Sequence, residues 1–324
     1  MDKEKKNWLV DVPVAIIFFS RPETLSHTFN RVKEARPSKL YLIQDGPREN
    51  RPDDMENILK CREIVSDIDW DCDVKTNYSD VNLSCGTRPF TGISWVMEQE
   101  DRVIVLEDDV VPDVSFFAYC AELLEYYKDD NRVCMITAAN LLGTWDSPQG
   151  SYFFGKSGQI SCWATWRRCW EKIDSELEFV DDEEAMRLLA CTMDPHTYKR
   201  DFKGIRKYRE QIKNGEKLTY WSTKWNYMKH LHHGLVIIPK RNMVENIGTT
   251  ANSTFSTKNP KWVPWCQRYI FFAKTYPVEF PLEHPKYMIH DRDFDAKVNR
   301  LVMPGFWLRQ WMRIEGRIRR LIFR

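Results

Sequence analysis

The run Arg102-Val103-Ile104-Val105-Leu106-Glu107-Asp108-Asp109-Val110-Val111-Pro112-Asp113 constrains the fold of this chain more than any other stretch. Its apolar, β-branched first half reads as a strand buried on both faces, as in a parallel sheet. Three adjacent carboxylates at the end of such a strand repel one another and resist desolvation, so they need a cation or hydrogen-bond donors. Oxygen-only ligands suit hard divalent ions such as Mg²⁺ or Mn²⁺, with positions left open for substrate phosphates. Taken alone, the triplet also reads as a strand that turns into an acidic, solvated loop.

The residues before it repeat one theme. Residues 12–19 are continuously apolar and end in Ser20-Arg21-Pro22-Glu23, a strand followed by a helix over 23–34 with proline in its first turn. Residues 39–43 form a second strand ending in Gln44-Asp45-Gly46-Pro47, and 50–68 a second helix. A weaker strand over 71–78 and a helix over 92–98 lead into the acid-tipped strand. This alternation predicts an α/β fold with a mostly parallel central sheet flanked by helices, in which ligands gather at the carboxyl ends of the strands. Arg21, Asp45, Glu107, Asp108 and Asp109 all fall at that edge.

Farther on, a helix over 115–127 and a strand over 132–137 continue the pattern, which then gives way. Residues 152–170 are aromatic and irregular, and 174–184 read as an acidic, solvated face or loop. A basic helix over 198–213, a helix beginning near 218–227, a strand over 235–239 and a turn at Asn246-Ile247-Gly248 complete this part.

Composition removes several function classes. Lys plus Arg number 48 against 47 Asp plus Glu, a net charge of +1, which gives no reason to expect nucleic acid as a partner. Nine scattered cysteines without a C-x-x-C pair suggest neither a disulfide framework nor a structural zinc site, and fit the reducing cytosol. Residues 12–19 are too short for a membrane span or signal segment. No G-x-G-x-x-G follows the first strand, where Ser20-Arg21-Pro22 stands instead, which argues against a nicotinamide-dependent dehydrogenase. A metal phosphohydrolase would want further His or Asp ligands that the sequence does not display.

The run 104–117, together with Arg21 and Gln44-Asp45, resembles the glycosyltransferase A (GT-A) fold, in particular bacterial family-2-like glycosyltransferases related to N-acetylglucosaminyltransferase I. Trp163-Ala164-Thr165-Trp166-Arg167-Arg168, Trp225-Asn226 and the stretch from Pro239 through Asn246-Ile247-Gly248 resemble the same bacterial proteins, so the likeness covers about residues 12–295. It implies an inverting, metal-dependent transfer from a UDP-sugar to a glycan acceptor. Asp109 would be the ligand of Mn²⁺ or Mg²⁺, Asp108 and Glu107 would meet ribose and sugar, and Arg21 and Asp45 the uracil. Arg88 would be a further phosphate or nucleotide contact. Where relatives carry Trp-Asp, with the Asp as general base, this chain has Trp221-Ser222. A neutral hydroxyl is a poor proton acceptor, so Ser222 leaves the base open: Glu245 is a substitute, an unusual acceptor is a second reading, and a catalytically weakened or non-catalytic nucleotide-sugar-binding scaffold is the alternative. Trp163 and Trp166 are candidates for an acceptor-binding wall, because sugar C–H faces stack on indole, with a packed core as the competing reading. His284 and His290 are candidate additional metal ligands.

The sequence divides into a tail over 1–11, the catalytic domain over 12–255, a lid over 256–300 and a basic amphipathic helix over 301–324. In the last, Trp307, Trp311, Ile314, Ile318, Leu321 and Ile322 share one stripe, and Arg309, Arg313, Arg317, Arg320 and Arg324 gather largely opposite. That pattern suits an anionic membrane surface and a polyprenyl-linked acceptor, which would place the protein in the cytoplasm, peripheral to the inner face of the cell membrane. A helix docked on its own domain or on a second copy is the competing reading.

Overall fold

A computed structural model describes residues 5–193, 195–216, 218–249, 260–264, 271–302 and 304–323. The amino-terminal half alternates β1 (Val14–Phe18), α1 (Pro22–Ala35), β2 (Lys39–Gln44), α2 (Asp53–Ser66), β3 (Asp73–Tyr78), α3 (Arg88–Met97), β4 (Arg102–Glu107), β5 (Val110–Pro112) and α4 (Ser115–Tyr126). Then follow β6 (Val133–Thr137), β7 (Tyr152–Gly155), β8 (Cys162–Trp166), α5 (Arg167–Trp170), α6 (Glu183–Thr192), α7 (Pro195–Lys213) and α8 (Ser222–Leu231). The chain closes with β9 (Leu235–Pro239), β10 (Val244–Asn246), α9 (Arg292–Val302) and α10 (Phe306–Ile322).

The described residues build an eight-stranded sheet in the order β3-β2-β1-β4-β8-β6-β9-β7 and a two-stranded ribbon of β5 with β10. β1 is buried along its whole length and β2 from Leu40 onward, as expected where helices cover both faces of a sheet. Helical crossovers carry the chain outward from β1 to β2 to β3, and α1 and α2 pack on each other along that path. The return from β3 to β4 reverses the direction, and α3 lies on β1, β2 and β4. The strand order therefore switches between β1 and β4, the place where an open parallel sheet forms its crevice, at the carboxyl ends of these two strands.

The stretch expected to be irregular, 152–170, instead supplies two strands. β8 runs antiparallel between β4 and β6, with Trp163 opposite Val105 and Cys162 opposite Leu106. β7 runs antiparallel to β9. Both are short and wholly buried, so they show none of the alternation that marks a half-exposed strand. The acidic stretch near 174–184 likewise orders, into a 3₁₀ turn over Glu178–Asp181 and α6, whose Asp182 side chain caps the backbone N–H groups of Glu184 and Ala185. α6, α7 and Tyr227 of α8 enclose a second, smaller core of Leu177, Val180, Met186, Leu189, Ile205 and Tyr208. The expected boundary between catalytic domain and lid, 255/256, lies outside the described residues.

Candidate functional site

The crevice between β1 and β4 receives Arg21 from the start of α1 and Asp108 and Asp109 from the turn between β4 and β5. Nη1 of Arg21 donates to Oδ2 of Asp109 at 2.8 Å, Nη2 donates to Oδ1 of Asp108, and Nε reaches Oδ2 of Asp108 at 3.4 Å. The backbone N–H of Phe19 adds a third donor to Asp108 at 3.3 Å. Burial opposes the charge on Arg21, but the two aspartates beside it more than offset that and raise its pKa. Burial raises the pKa of Asp108 against the pull of Arg21, and Asp109 adds to the rise. Glu107, one residue earlier, is pushed up to about 8 by burial, with Asp109 and Asp108 adding repulsion. The mutual repulsion expected of the triplet is thus present, and a guanidinium answers it in part.

Asp109 is gripped from a second direction. β10 pairs with β5, Asn246 against Val110, and the N–H of Ile247 donates to the carbonyl of Asp109 at 2.9 Å. The Asn246 side chain accepts from the N–H of Gly248 at 2.8 Å and turns the chain over the carboxylate. A Cβ on Gly248 would stand 2.1 Å from Oδ2 of Asp109, so only glycine permits this approach. The second oxygen of Asp109, Oδ1, is buried and has no hydrogen-bond partner among the described residues. A buried carboxylate oxygen without a donor is costly, and a cation is one way to satisfy it. Among the described residues no three His, Cys, Asp or Glu side chains converge as a cage. The donor set therefore fits an ion such as Mg²⁺ or Mn²⁺ that takes one or two protein carboxylates and fills its remaining positions from phosphate and water.

Asp45 and Arg88 form the neighbouring wall at the end of β2. Both oxygens of Asp45 accept backbone N–H groups: Oδ1 from Gly46 at 3.0 Å and Leu83 at 2.8 Å, and Oδ2 from Ser84 at 2.9 Å. Burial raises its pKa, and these donors and Arg88 oppose the rise. Arg88 is 5 % exposed and donates to the carbonyls of Gln44 and Asn77 and to the Asn77 side chain; burial lowers its pKa. Asp45 thus pins the 83–84 loop. There Ser84 adopts φ 70° and has a buried hydroxyl without a hydrogen-bond partner among the described residues. The next turn presses on the approach to α8: a Cβ on Gly86 would meet the Leu218 carbonyl oxygen at 1.8 Å.

Ser222 opens α8 directly after Trp221, whose ring stacks on Trp163. Glu245 sits on β10 opposite Val111. The two tryptophans expected to form an acceptor wall are core residues. Trp163 is fully buried among Trp170, Trp221 and Trp225, and Trp166 is buried with its Nε1 donating to the Leu124 carbonyl, so protein occupies the faces a sugar would need. The two histidines suggested as metal ligands are also engaged elsewhere. His284 stacks on Tyr126, shares a hydrogen bond with the Tyr152 hydroxyl and lies 3.3 Å from Glu122, while His290 pairs with Asp295. A cavity of about 750 Å³ opens beside Lys39, Glu100, Arg102 and Arg167, at the opposite end of β4 from the aspartates. Its charges are largely matched, Lys39 to Glu100, Arg102 to Glu125 and Arg167 to Asp101. The crevice residues that sequence reasoning missed are Ser84, Asn246 and Gly248. The Asn-Ile-Gly turn was visible, but nothing local ties it to an aspartate more than a hundred residues earlier.

Fold and crevice together define a Rossmann-like α/β protein with an acid-tipped central strand at its switch point. No family model and no curated protein matches the chain. Among solved structures, it is similar to 4-diphosphocytidyl-2C-methyl-D-erythritol synthase from Anaerococcus prevotii DSM 20548, with 13 % identity and a TM-score of 0.31 over 50 % of this chain and 76 % of that one. A UDP-glucose pyrophosphorylase complexed with UDP-glucose is similar at 10 % identity and a TM-score of 0.28, over 50 % of this chain and 78 % of that one. At such scores the likeness carries no functional weight.

Proposed function

We propose that this protein is a glycosyltransferase that moves a sugar from a UDP-sugar to a hydroxyl of a glycan acceptor, with inversion, and that Asp109 holds the divalent ion. The observation that carries this reading is the buried Oδ1 of Asp109 at the β1/β4 switch point, which has no hydrogen-bond partner among the described residues. Asp109 would hold a divalent cation there, which would supply stabilisation of the charge that grows on a departing diphosphate. Arg21, fixed by both aspartates, sets their orientation and keeps a positive charge beside the incoming phosphates. Asp108 has lone-pair capacity beyond its present donors, and with Glu107 it offers acceptor positions for ribose and sugar hydroxyls. The 83–88 segment, held by Asp45 and Arg88, forms the base-side wall. Glu245 is the carboxylate we assign to proton removal from the acceptor, because Ser222 cannot take that role unaided. Ser222 also favours the second reading, a nucleotide-sugar-binding protein without turnover.

Calorimetric titration of UDP and a panel of UDP-sugars, with and without Mn²⁺, tests the site. Metal-dependent binding that Asp109→Asn removes is expected, and Mn²⁺-dependent affinity unchanged by that substitution would take Asp109 out of it. Slow release of sugar from the tightest donor separates the transferase from the binding-only protein.

A further inference from the structure

α10 carries three faces. At 100° per residue, Met312, Gly316, Arg319 and Phe323 share one side, and this side meets the 260–264 segment. Trp262 Nε1 donates to the Phe323 carbonyl at 3.1 Å, Arg319 Nη1 donates to the Lys261 carbonyl at 3.5 Å, and Gly316 faces Pro264. Trp307, Trp311, Ile314, Ile318, Leu321 and Ile322 fall in a second stripe about 100° wide, turned away from that docking side. They are 45 to 83 % exposed, and no residue of the helix is buried. Arg309, Arg313, Arg317 and Arg320 form the third face along the flank of this stripe. Arg309, Arg313 and Arg317 have no acidic partner among the described residues, while Glu315, the helix's one acid, is held by Arg319.

We propose that α10 is an interfacial helix that lays its tryptophan–isoleucine stripe into the headgroup layer of an anionic lipid membrane, with the arginine row against the lipid phosphates. The docking contacts determine which way the helix faces: the narrow side of Met312, Gly316, Arg319 and Phe323 is turned to 260–264 and the broad tryptophan–isoleucine stripe outward, the reverse of a helix that completes a core. So many large apolar side chains exposed together exceed what a monomer ordinarily presents to water. The charge selects the occupant. A second copy meeting it through the same helix would bring the same arginines and no spare acid, whereas anionic headgroups complement the row and accept tryptophan beside it. Among the described residues no helix is long and apolar enough to cross a membrane, so the helix lies along the surface. Joined to the transferase reading, this makes a lipid-carried glycan the acceptor class. The membrane contact itself stands independently of that reading.

Co-sedimentation of the full-length protein with vesicles, without any nucleotide, tests it. The protein is expected to pellet with equimolar phosphatidylcholine and phosphatidylglycerol, to stay largely soluble with phosphatidylcholine alone, and to be released by salt. The double variant Trp307→Ser, Trp311→Ser should lose binding. Arg309→Gln with Arg313→Gln should weaken it by roughly five-fold per arginine, the equivalent of about 1 kcal/mol each. Both pairs point to solvent, so circular dichroism and the urea midpoint should match the parent. Equal sedimentation with and without vesicles, or a tryptophan variant that binds as the parent does, would overturn the proposal. So would a dimer in light scattering that the tryptophan variant dissolves while vesicles leave the protein in solution.

Discussion

Arg21→Met isolates the electrostatic core of the crevice. The guanidinium is mostly buried, at 17 % side-chain exposure, and the two carboxylates it bridges are 4 % and 12 % exposed. Removing one partner of a buried ion pair leaves the other charge unpaired and costs about 3–5 kcal/mol. Methionine keeps much of the volume, so little of that loss comes from a cavity. With a urea m-value near the upper end of the usual range, about 3 kcal/mol/M, the midpoint at neutral pH should fall by about 1–1.7 M. The sign with pH follows from Asp108. Burial already holds its pKa above the ordinary value of 3.8, and without Arg21 it rises further. The penalty is therefore full where Asp108 is ionised and shrinks as falling pH protonates it. Mn²⁺ should restore part of the midpoint at neutral pH, because it supplies the missing positive charge. Urea titrations at several pH values, with and without Mn²⁺, read all of this. A loss under about 1 kcal/mol that ignores pH would mean the aspartates are solvated, as a surface pair would be, and would refute the reasoning.

Two further perturbations probe neighbouring features. Gly248→Ala forces a methyl into Asp109, so stability should fall by about 1–3 kcal/mol and Mn²⁺-dependent UDP binding should weaken, read by thermal melts and calorimetry. His230 is held at about 4 by burial, with Lys229 and Lys156 adding to the depression, against 6.5 when unfolded. Because the unfolded chain takes up that proton first, stability should drop as pH falls from 6.5 to 4, by about 3 kcal/mol in all, and His230→Gln should flatten that part of the profile.

The strand–helix alternation of residues 14–107 was legible because β1, β2 and β4 each carry an uninterrupted apolar run, with only the polar β3 weakly marked, and each helix begins near a proline or an acid. The acid tip was legible for a related reason: three carboxylates after a buried strand have few explanations. β8 was not, because a five-residue aromatic strand enclosed on both sides lacks any period to detect. The tryptophans misled in the same way, since Trp163 looks alike in sequence whether it faces a sugar or three other indoles. Asp45 was placed at the right edge, but its three backbone donors arise from a loop that bends back to it, and no local pattern announces that. The contact of Gly248 with Asp109 depends on a pairing between residues 110–112 and 244–246, which only the folded chain reveals.

That ribbon has a consequence for the protein while it is being made. β1 to β4 are complete once the chain has grown past residue 107, and a sheet of local crossovers can begin to assemble then. The latch over Asp109 is not translated until residue 248. A nascent or truncated chain that stops short of it would carry the strand and its acids without the glycine turn that shapes them. Growth of the polypeptide thus acts as a timer, and the crevice acquires its final form only once residue 248 has been added.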